Sequence, residues 1–188
     1  MNPFSSMIDE VLAALEKKQT ILYPTDTVWG IGGDATAPEV VEKIYKIKQR
    51  ADHKALIVLV KDIEMLKEYV QEIPEVAFSF LEEERPTTLV YPQGINLADN
   101  LLGQDGSVGI RIPKHSFCQQ LLTSFGKPII STSANISGSE TPKNFNTIDS
   151  KVLEGVDYVV HLQKKNNQNQ PSRVLKIKAD GTVLILRA

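Results

Sequence analysis

The chain has 188 residues, 41% of them hydrophobic and 23% charged, which is enough for one substantial core and excludes a disordered or fibrous protein. A net charge of −2 provides no global basic field, so nucleic-acid binding driven by phosphate neutralisation alone is disfavoured. The single cysteine, Cys118, excludes an internal disulfide and a zinc site of clustered thiolates, and its apolar helical surroundings favour a buried thiol over a nucleophile.

These bulk properties predict a single domain that spans residues 1–188. The N-terminus has no signal-peptide pattern, and no apolar run approaches the length that crosses a bilayer. We therefore expect a cytoplasmic protein without a membrane partner.

A helix is predicted over residues 6–18, because apolar side chains recur there at i, i+3, i+4 and i+7. A buried strand follows at 21–23, and Pro24 ends it because proline lacks a backbone N–H. The hydroxyl-rich turn 25–27 then lies at the carboxyl end of a strand, where open α/β sheets usually present ligands. We expect the glycines of 30–33 to form a positive-φ loop that a ligand approaches closely. A tight turn with internally satisfied hydroxyls is the alternative.

Two nucleotide-binding motifs can be excluded at this loop. Gly30, Gly32 and Ala35 match the spacing G-x-G-x-x-A, but six residues separate Gly30 from the strand that should directly precede it. The pattern G-x-x-x-x-G-K-[ST] is absent from the chain. Neither a Rossmann fingerprint nor a Walker-type phosphate loop is therefore predicted.

The next helix is expected to open with a capping box at residues 36–39, with proline in its first turn. It ends in three cations, Lys46, Lys48 and Arg50. These cations either complement the negative end of the helix dipole or form an anion site, and the helix alone does not decide between the two.

The remaining elements alternate between sheet and helix. We predict helices at 62–70, 74–81 and 115–125, and strands at 55–60, 87–91, 107–112, 128–132, 157–162, 173–178 and 182–187. The order predicts an α/β fold with a twisted mixed sheet flanked by helices, ending in an antiparallel hairpin.

A second polar segment has the same pattern as the first, because hydroxyl and amide side chains again follow a short predicted strand. Its polar residues are Ser131, Thr132, Ser133, Asn135 and Ser137. They could simply cap a turn or helix. Together with Lys48 and Arg50, however, they predict one shared site that holds a polyphosphate beside a small polar ligand.

Five motifs occur in order along the chain: YPTDTVWGIG at 23–32, KQR at 48–50, SVGIRIP at 107–113, STSANISG at 131–138, and Ser172 with Arg187. They resemble YPTDTVYGLG, K-x-R, V-x-x-R-x-P, S-x-N and the closing serine and arginine of the YrdC-like threonylcarbamoyl-adenylate synthases. The resemblance covers nearly the whole chain and implies a YrdC-like fold.

The chain departs from the family pattern at three places. Ala55 replaces the proline of K-P-L, and Leu59 stands where some members place a threonine-contacting histidine. Residues 84–88, ERPTT, replace the usual P-G-P-x-T.

The resemblance implies an enzyme, a nucleotidyltransferase that joins L-threonine, bicarbonate or CO₂, and ATP. Its products are L-threonylcarbamoyl-adenylate and pyrophosphate, and the adenylate serves the t6A37 modification of tRNA. A related enzyme that forms another carbamoyl-adenylate is the first alternative. A noncatalytic RNA-binding module is the second.

The resemblance also implies roles for individual residues. Lys48 and Arg50 are the expected catalytic residues at the phosphates. The expected ATP contacts are Arg50, Lys54, Ser107, Asn135 and Arg187. The expected threonine contacts are Thr27, Arg111, Ser133 and Ser172, with Arg111 as the bidentate partner of the carboxylate.

The expected cofactor is Mg²⁺ carried by ATP, because the sequence offers no carboxylate cluster that would form a metal site in the protein itself. The expected partner is the tRNA threonylcarbamoyl-transferase complex that receives the adenylate. Weak binding of tRNA or double-stranded RNA is left open.

Overall fold

The computed structural model describes residues 5–50, 56–162, 170–178 and 180–188. Its α-helices are α1 (Ser5–Glu16), α2 (Pro38–Ile47), α3 (Ile63–Tyr69), α4 (Glu75–Leu81), α5 (Ser116–Phe125) and α6 (Ser150–Gly155). Its strands are β1 (Ile21–Tyr23), β2 (Gly30–Gly32), β3 (Ile57–Leu59), β4 (Thr87–Tyr91), β5 (Val108–Arg111), β6 (Ile129–Ile130), β7 (Thr132–Ser133), β8 (Tyr158–Val159), β9 (Arg173–Ile177) and β10 (Val183–Arg187).

The strands form two sheets, one in the order β7-β2-β1-β8 and the other in the order β10-β9-β4-β5-β3-β6. The larger sheet is mixed, because β3 runs parallel to β5 and β4 parallel to β9 while its other pairs are antiparallel. The predicted α/β fold with a mixed sheet and a final antiparallel hairpin is confirmed. The sequence did not indicate that the strands divide between two sheets.

The chain passes from one sheet to the other at Ser131. The sequence predicts one strand over 128–132, but β6 pairs with β3 in the larger sheet and β7 pairs with β2 in the smaller one. The Ser131 amide donates to the Ile57 carbonyl oxygen at 2.8 Å, which keeps this crossing point against β3. The second polar segment therefore begins where the two sheets meet.

The expected positive-φ glycine loop at 30–33 is wrong, because Gly30–Gly32 is strand β2, antiparallel to β1. None of its glycines is among the described residues with positive φ. A Cβ atom on Gly32 would clash with the Ile130 carbonyl oxygen and lie 2.6 Å from Cε1 of Tyr23. Glycine is required here by the close approach of neighbouring strands, not by the backbone angle.

Helix α2 begins without the predicted capping box. Its N-cap is Ala37, which has no side-chain cap, and the Thr36 hydroxyl donates to Oδ1 of Asp34 at 2.6 Å. Asp34 also accepts from the Thr36 amide at 2.8 Å, so the aspartate forms a local turn that competes with capping by Thr36. Pro38 occupies the first turn, as predicted.

The core has two parts. One lies between α1 and α5 and contains Val11, Leu15, Phe117 and Cys118. Cys118 is buried, as predicted, and burial raises the pKa of its thiol well above the ordinary range. The larger part packs α2 and α3 against the sheets. No helix in the described part of the chain is long and apolar enough to cross a membrane.

Candidate functional site

A cavity of about 340 Å³ is lined by residues of both sheets, including the C-terminal hairpin at the edge of the larger one. Of the residues predicted for the site, those that line it are Thr27, Arg50, Arg111, Ser133, Ser172 and Arg187. They come from segments spread over the whole chain, so the structure brings together most of the predicted site. Lys54 lies outside the described residues.

The two threonines of the turn after β1 have different roles, because Thr25 stabilises the turn and Thr27 lines the cavity. Thr25 donates to the Val28 carbonyl oxygen at 2.8 Å and accepts from the Thr27 amide at 3.1 Å. The Thr27 hydroxyl lies 3.0 Å from that of Thr25, and Thr27 lines the cavity. Thr25 therefore shapes the turn that presents Thr27 to a ligand.

Arg111 at the end of β5 is held by Asp26, which lies in the predicted ligand-presenting turn but received no role from the sequence. Nη1 of Arg111 donates to Oδ1 of Asp26, and the other oxygen of Asp26 accepts from the Lys114 amide at 3.0 Å. Nη2 of Arg111 lies 3.4 Å from the Thr27 hydroxyl, and Nε is buried without a partner among the described residues. The ion pair fixes the guanidinium and leaves hydrogen-bonding capacity for a ligand.

Arg50 and Arg187 supply two further guanidinium groups to the cavity wall. Burial lowers the pKa of Arg50, and burial together with the charge of Arg111 lowers the pKa of Arg187. Both remain cationic near neutral pH because the ordinary pKa of arginine is above about 12. None of the described residues that line the cavity is acidic, so the wall favours an anionic ligand.

A hydroxyl network joins the C-terminal hairpin to the centre of the larger sheet. The Ser172 hydroxyl lies 2.8 Å from that of Thr88 on β4. Nε of Arg187 donates to the Ser172 carbonyl oxygen at 2.8 Å, and its Nη2 lies 3.3 Å from the Ser172 hydroxyl. Thr88 is a cavity residue that the sequence did not single out, because a threonine in a strand carries no signal of its partner.

The cavity wall also contains apolar residues. Its apolar lining residues include Leu56, Ile57, Val90, Val174 and Leu186. Gly109 lies among them, and a Cβ atom there would lie 3.3 Å from Cγ2 of Thr88. Neighbouring side chains therefore already fill the space beside Gly109. The cavity wall combines cationic, hydroxyl and apolar groups.

Lys48 does not line the cavity, although it is two residues from Arg50. It is only 3% exposed, and Nζ donates to the carbonyl oxygens of Ser133 at 2.5 Å and Asn135 at 2.8 Å. Burial, with a smaller effect of the Arg50 charge, lowers the pKa of Lys48 to about 8. The structure places this ammonium behind the cavity wall.

Two predicted ATP contacts also lie away from the cavity lining. Nδ2 of Asn135 donates to the carbonyl oxygens of Ile136 and Ser139, while Oδ1 is buried without a partner among the described residues. The Ser107 hydroxyl donates to Asp105 at 2.5 Å. Ser107 is four residues before Arg111, a separation of about 13 Å along a strand.

No group of three or more histidine, cysteine, aspartate or glutamate residues could hold a metal ion in the described ranges. Guanidinium and hydroxyl groups dominate the polar wall, and such a wall suits phosphates better than a bare divalent cation. The expectation that Mg²⁺ arrives on ATP therefore stays a prediction.

Comparison with known proteins gives the family. The sequence profile of the Sua5/YciO/YrdC family, described as "telomere recombination", matches residues 13–188. The threonylcarbamoyl-AMP synthase of Pseudoalteromonas translucida is 33% identical over 173 residues, which are 90% of this chain and 92% of that protein. The synthase of Photobacterium profundum is 30% identical over 169 residues, 86% of this chain and 90% of that protein.

Solved structures agree in fold. The crystal structure of E. coli YciO has a TM-score of 0.85 and 26% identity, covering 99% of this chain and 90% of that protein. P. abyssi Sua5 complexed with L-threonine has a TM-score of 0.84 and 24% identity, covering 96% of this chain and 53% of that protein. Since the family profile matches nearly the whole sequence, the chain belongs to the Sua5/YciO/YrdC family.

Proposed function

We propose that the protein is an L-threonylcarbamoyladenylate synthase, which forms threonylcarbamoyl-AMP and pyrophosphate from L-threonine, bicarbonate or CO₂, and ATP. Full-length relatives that carry the name threonylcarbamoyl-AMP synthase support this proposal. The single observation that carries it is the cavity wall, in which Arg50, Arg111 and Arg187 stand among hydroxyls with no acidic residue among the described lining. Such a wall suits a triphosphate and a carboxylate together.

Threonine is proposed to bind at the Arg111 end of the cavity. Arg111 would receive the substrate carboxylate, since Asp26 holds its guanidinium in place. Thr27, Ser133 and Ser172 supply nearby hydroxyl or backbone groups for the rest of the amino acid. Leu59 belongs to the apolar core, so no histidine acts at that position in this chain.

ATP is proposed to place its phosphates near Arg50 and Arg187 and its base against apolar residues of the lining. Lys54, Ser107 and Asn135 stay proposed ATP contacts on the family pattern, although the latter two lie outside the cavity lining. Mg²⁺ would be held by the phosphates themselves, because no carboxylate lines the described part of the cavity. It would neutralise phosphate charge as the substrate binds.

The proposed reaction begins when the neutral threonine amine forms an N–C bond to CO₂ and releases a proton, or to bicarbonate and releases water, to give a carbamate. An oxygen of the resulting carbamate attacks the α-phosphorus, forming a P–O bond as the bond to the bridging oxygen of pyrophosphate breaks. Arg50 and Arg187 would stabilise the negative charge that collects on the departing pyrophosphate. Cys118 is buried away from the cavity, so nothing in this route uses a covalent thiol intermediate. Catalysis rests on positioning and charge stabilisation.

Pyrophosphate release tests the proposal directly. Purified protein with Mg-ATP should release pyrophosphate only when L-threonine and bicarbonate are both present, because their carbamate is the nucleophile. Equal release without threonine would overturn the proposal. Release with a different amino acid in a panel of twenty would favour the alternative carbamoyl-adenylate enzyme. Salt-sensitive RNA binding without any turnover would favour the RNA-binding module.

The adenylate product is a mixed anhydride and must be used soon after it forms. The proposed recipient is the tRNA threonylcarbamoyl-transferase complex, which would use it for the t6A37 modification in the cytoplasm. Weak binding of tRNA or double-stranded RNA by this protein would assist that transfer.

A further inference from the structure

Lys48 and Arg50 point in different directions because helix α2 ends in a Schellman motif between them. The Gln49 amide donates to the Lys46 carbonyl oxygen at 3.1 Å, and the Arg50 amide donates to that of Tyr45 at 3.0 Å. Gln49 itself has a φ of 49°, in the left-handed region. The chain reverses at this residue, which sends Arg50 to the cavity and keeps Lys48 behind it.

Lys48 is bound to the segment 133–137 from both its side chain and its backbone. Its ammonium donates to the carbonyl oxygens of Ser133 and Asn135, and its own carbonyl oxygen accepts from the Ser137 amide at 2.8 Å. No carboxylate among the described residues forms an ion pair with it. The buried charge is therefore compensated chiefly by backbone dipoles of one loop.

The ammonium joins two carbonyl oxygens of this loop. Those of Ser133 and Asn135 converge on Nζ of Lys48, and the Ser133 oxygen also accepts from the Asn135 amide at 2.9 Å, so the ammonium is its second donor. The same segment is tied to β2 by pairing of Ser133 with Gly30 and by the Ala134 amide, which donates to the Trp29 carbonyl oxygen at 2.9 Å. Ser133 then lines the cavity. Loss of the ammonium would leave these strand contacts in place but remove the two hydrogen bonds that fix the carbonyl groups of Ser133 and Asn135.

We propose that Lys48 is a positioning residue, whose ammonium clamps the carbonyls of Ser133 and Asn135 and so holds the threonine side of the cavity in shape. Of these two cations, only Arg50 would then contact the phosphates of ATP. The part of this inference that concerns substrates rests on the proposed function. The clamp itself does not, because it is a property of the protein without ligand.

Hydrogen exchange of the ligand-free protein tests the clamp. Lys48→Met keeps the aliphatic stem but removes the charge and the donors. The amides of Asn135 and Ser137 should exchange at least ~10-fold faster in this variant, which is a loss of about 1.4 kcal/mol of local protection. The amide of Leu22 in the core should be unchanged. Unchanged exchange at Asn135 and Ser137 would overturn the proposal.

Kinetics distinguish a clamp from a phosphate contact. Lys48→Met should raise KM for threonine at least ~10-fold and KM for ATP less than ~3-fold. Arg50→Gln, the matched loss of a charge two residues away, should affect ATP more than threonine. If Lys48→Met raises KM for ATP and leaves that for threonine unchanged, Lys48 contacts phosphate and the proposal is wrong.

A titration of the unmodified protein covers the case in which Lys48→Met does not fold. The side-chain NMR signal of Lys48, assigned by its absence in Lys48→Arg, should titrate near pH 8 and keep that midpoint when Mg-pyrophosphate is added. A midpoint that rises by a full pH unit with pyrophosphate would overturn the proposal. If the protein never releases pyrophosphate but exchange and titration behave as expected, the proposed function fails and the clamp stands.

Discussion

Two buried cations beside the cavity are compensated in different ways. Arg111 is paired with the carboxylate of Asp26, which carries a full opposite charge. Lys48 has two backbone carbonyl oxygens, which carry only partial charges. Partial charges offset the loss of hydration less completely, so burial lowers the pKa of Lys48 to about 8. This one side chain therefore makes the free energy of unfolding vary with pH in the alkaline range.

We expect the free energy of unfolding to respond to Lys48 between pH 8 and the ordinary lysine value of 10.5. In this window the folded protein has released the Lys48 proton and the unfolded chain still holds it, so stability rises with pH. From pH 7.5 to pH 9.5, the free energy of unfolding measured by urea denaturation should rise more in the wild type than in Lys48→Met. Over the full window from pH 8 to 10.5, the difference should reach up to about 3 kcal/mol. Parallel pH profiles of the two proteins would contradict this expectation.

At the scale of the element, the end of α2 separates the two cations. The motif needs a left-handed residue after the helix cap, and Gln49 occupies that position at a steric cost. Glycine is the usual residue there because it has no Cβ. The protein therefore carries local strain at the turn that aims Arg50 into the cavity.

Gln49→Gly should stabilise the protein by about 0.5–1 kcal/mol, because it removes the steric cost of the left-handed conformation. Gln49 is exposed, so the substitution leaves no cavity in the core. The urea midpoint measures the change. Glu42→Gly in the interior of the same helix is the matched control and should destabilise by about 1 kcal/mol. A destabilised Gln49→Gly protein would show that the turn is not strained.

For the whole molecule, the cavity is a junction of the two sheets. Thr27 and Ser133 belong to segments of the smaller sheet, whereas Arg111 lies on an inner strand of the larger sheet and Arg187 on its edge hairpin, which Ser172 precedes. A ligand that contacts both sheets would link them in the folded state only. Binding should therefore stabilise the fold as a whole.

Threonine and Mg-ATP should each raise Tm, and a ligand at a hundred times its dissociation constant adds about 2.7 kcal/mol. Differential scanning calorimetry measures the shift. Arg111→Gln should remove the threonine-dependent part and keep most of the ATP-dependent part. Lys67→Gln, which removes an exposed charge on α3, is the control and should keep both. If neither ligand changes the Tm of the wild-type protein, the proposed site is contradicted.

The sequence by itself determined most elements and much of the site. Helical periodicity located α1 and α5, because apolar residues that recur at i, i+3, i+4 and i+7 mark the face that is buried. Motif order pointed to Arg50, Arg111 and Arg187, which the structure brings to one cavity. Their individual substrate contacts stay predictions.

Only the tertiary structure decided which groups meet. Strand β2, the change of sheet at Ser131 and the pairing of Asp26 with Arg111 all depend on partners far away in sequence. The Lys48 ammonium meets the Ser133 carbonyl oxygen across 85 residues of chain. Local patterns report how a residue is buried but not what it is buried against, because a backbone carbonyl partner has no signature in residue type. Two cations separated by one residue could therefore end on opposite sides of the cavity wall.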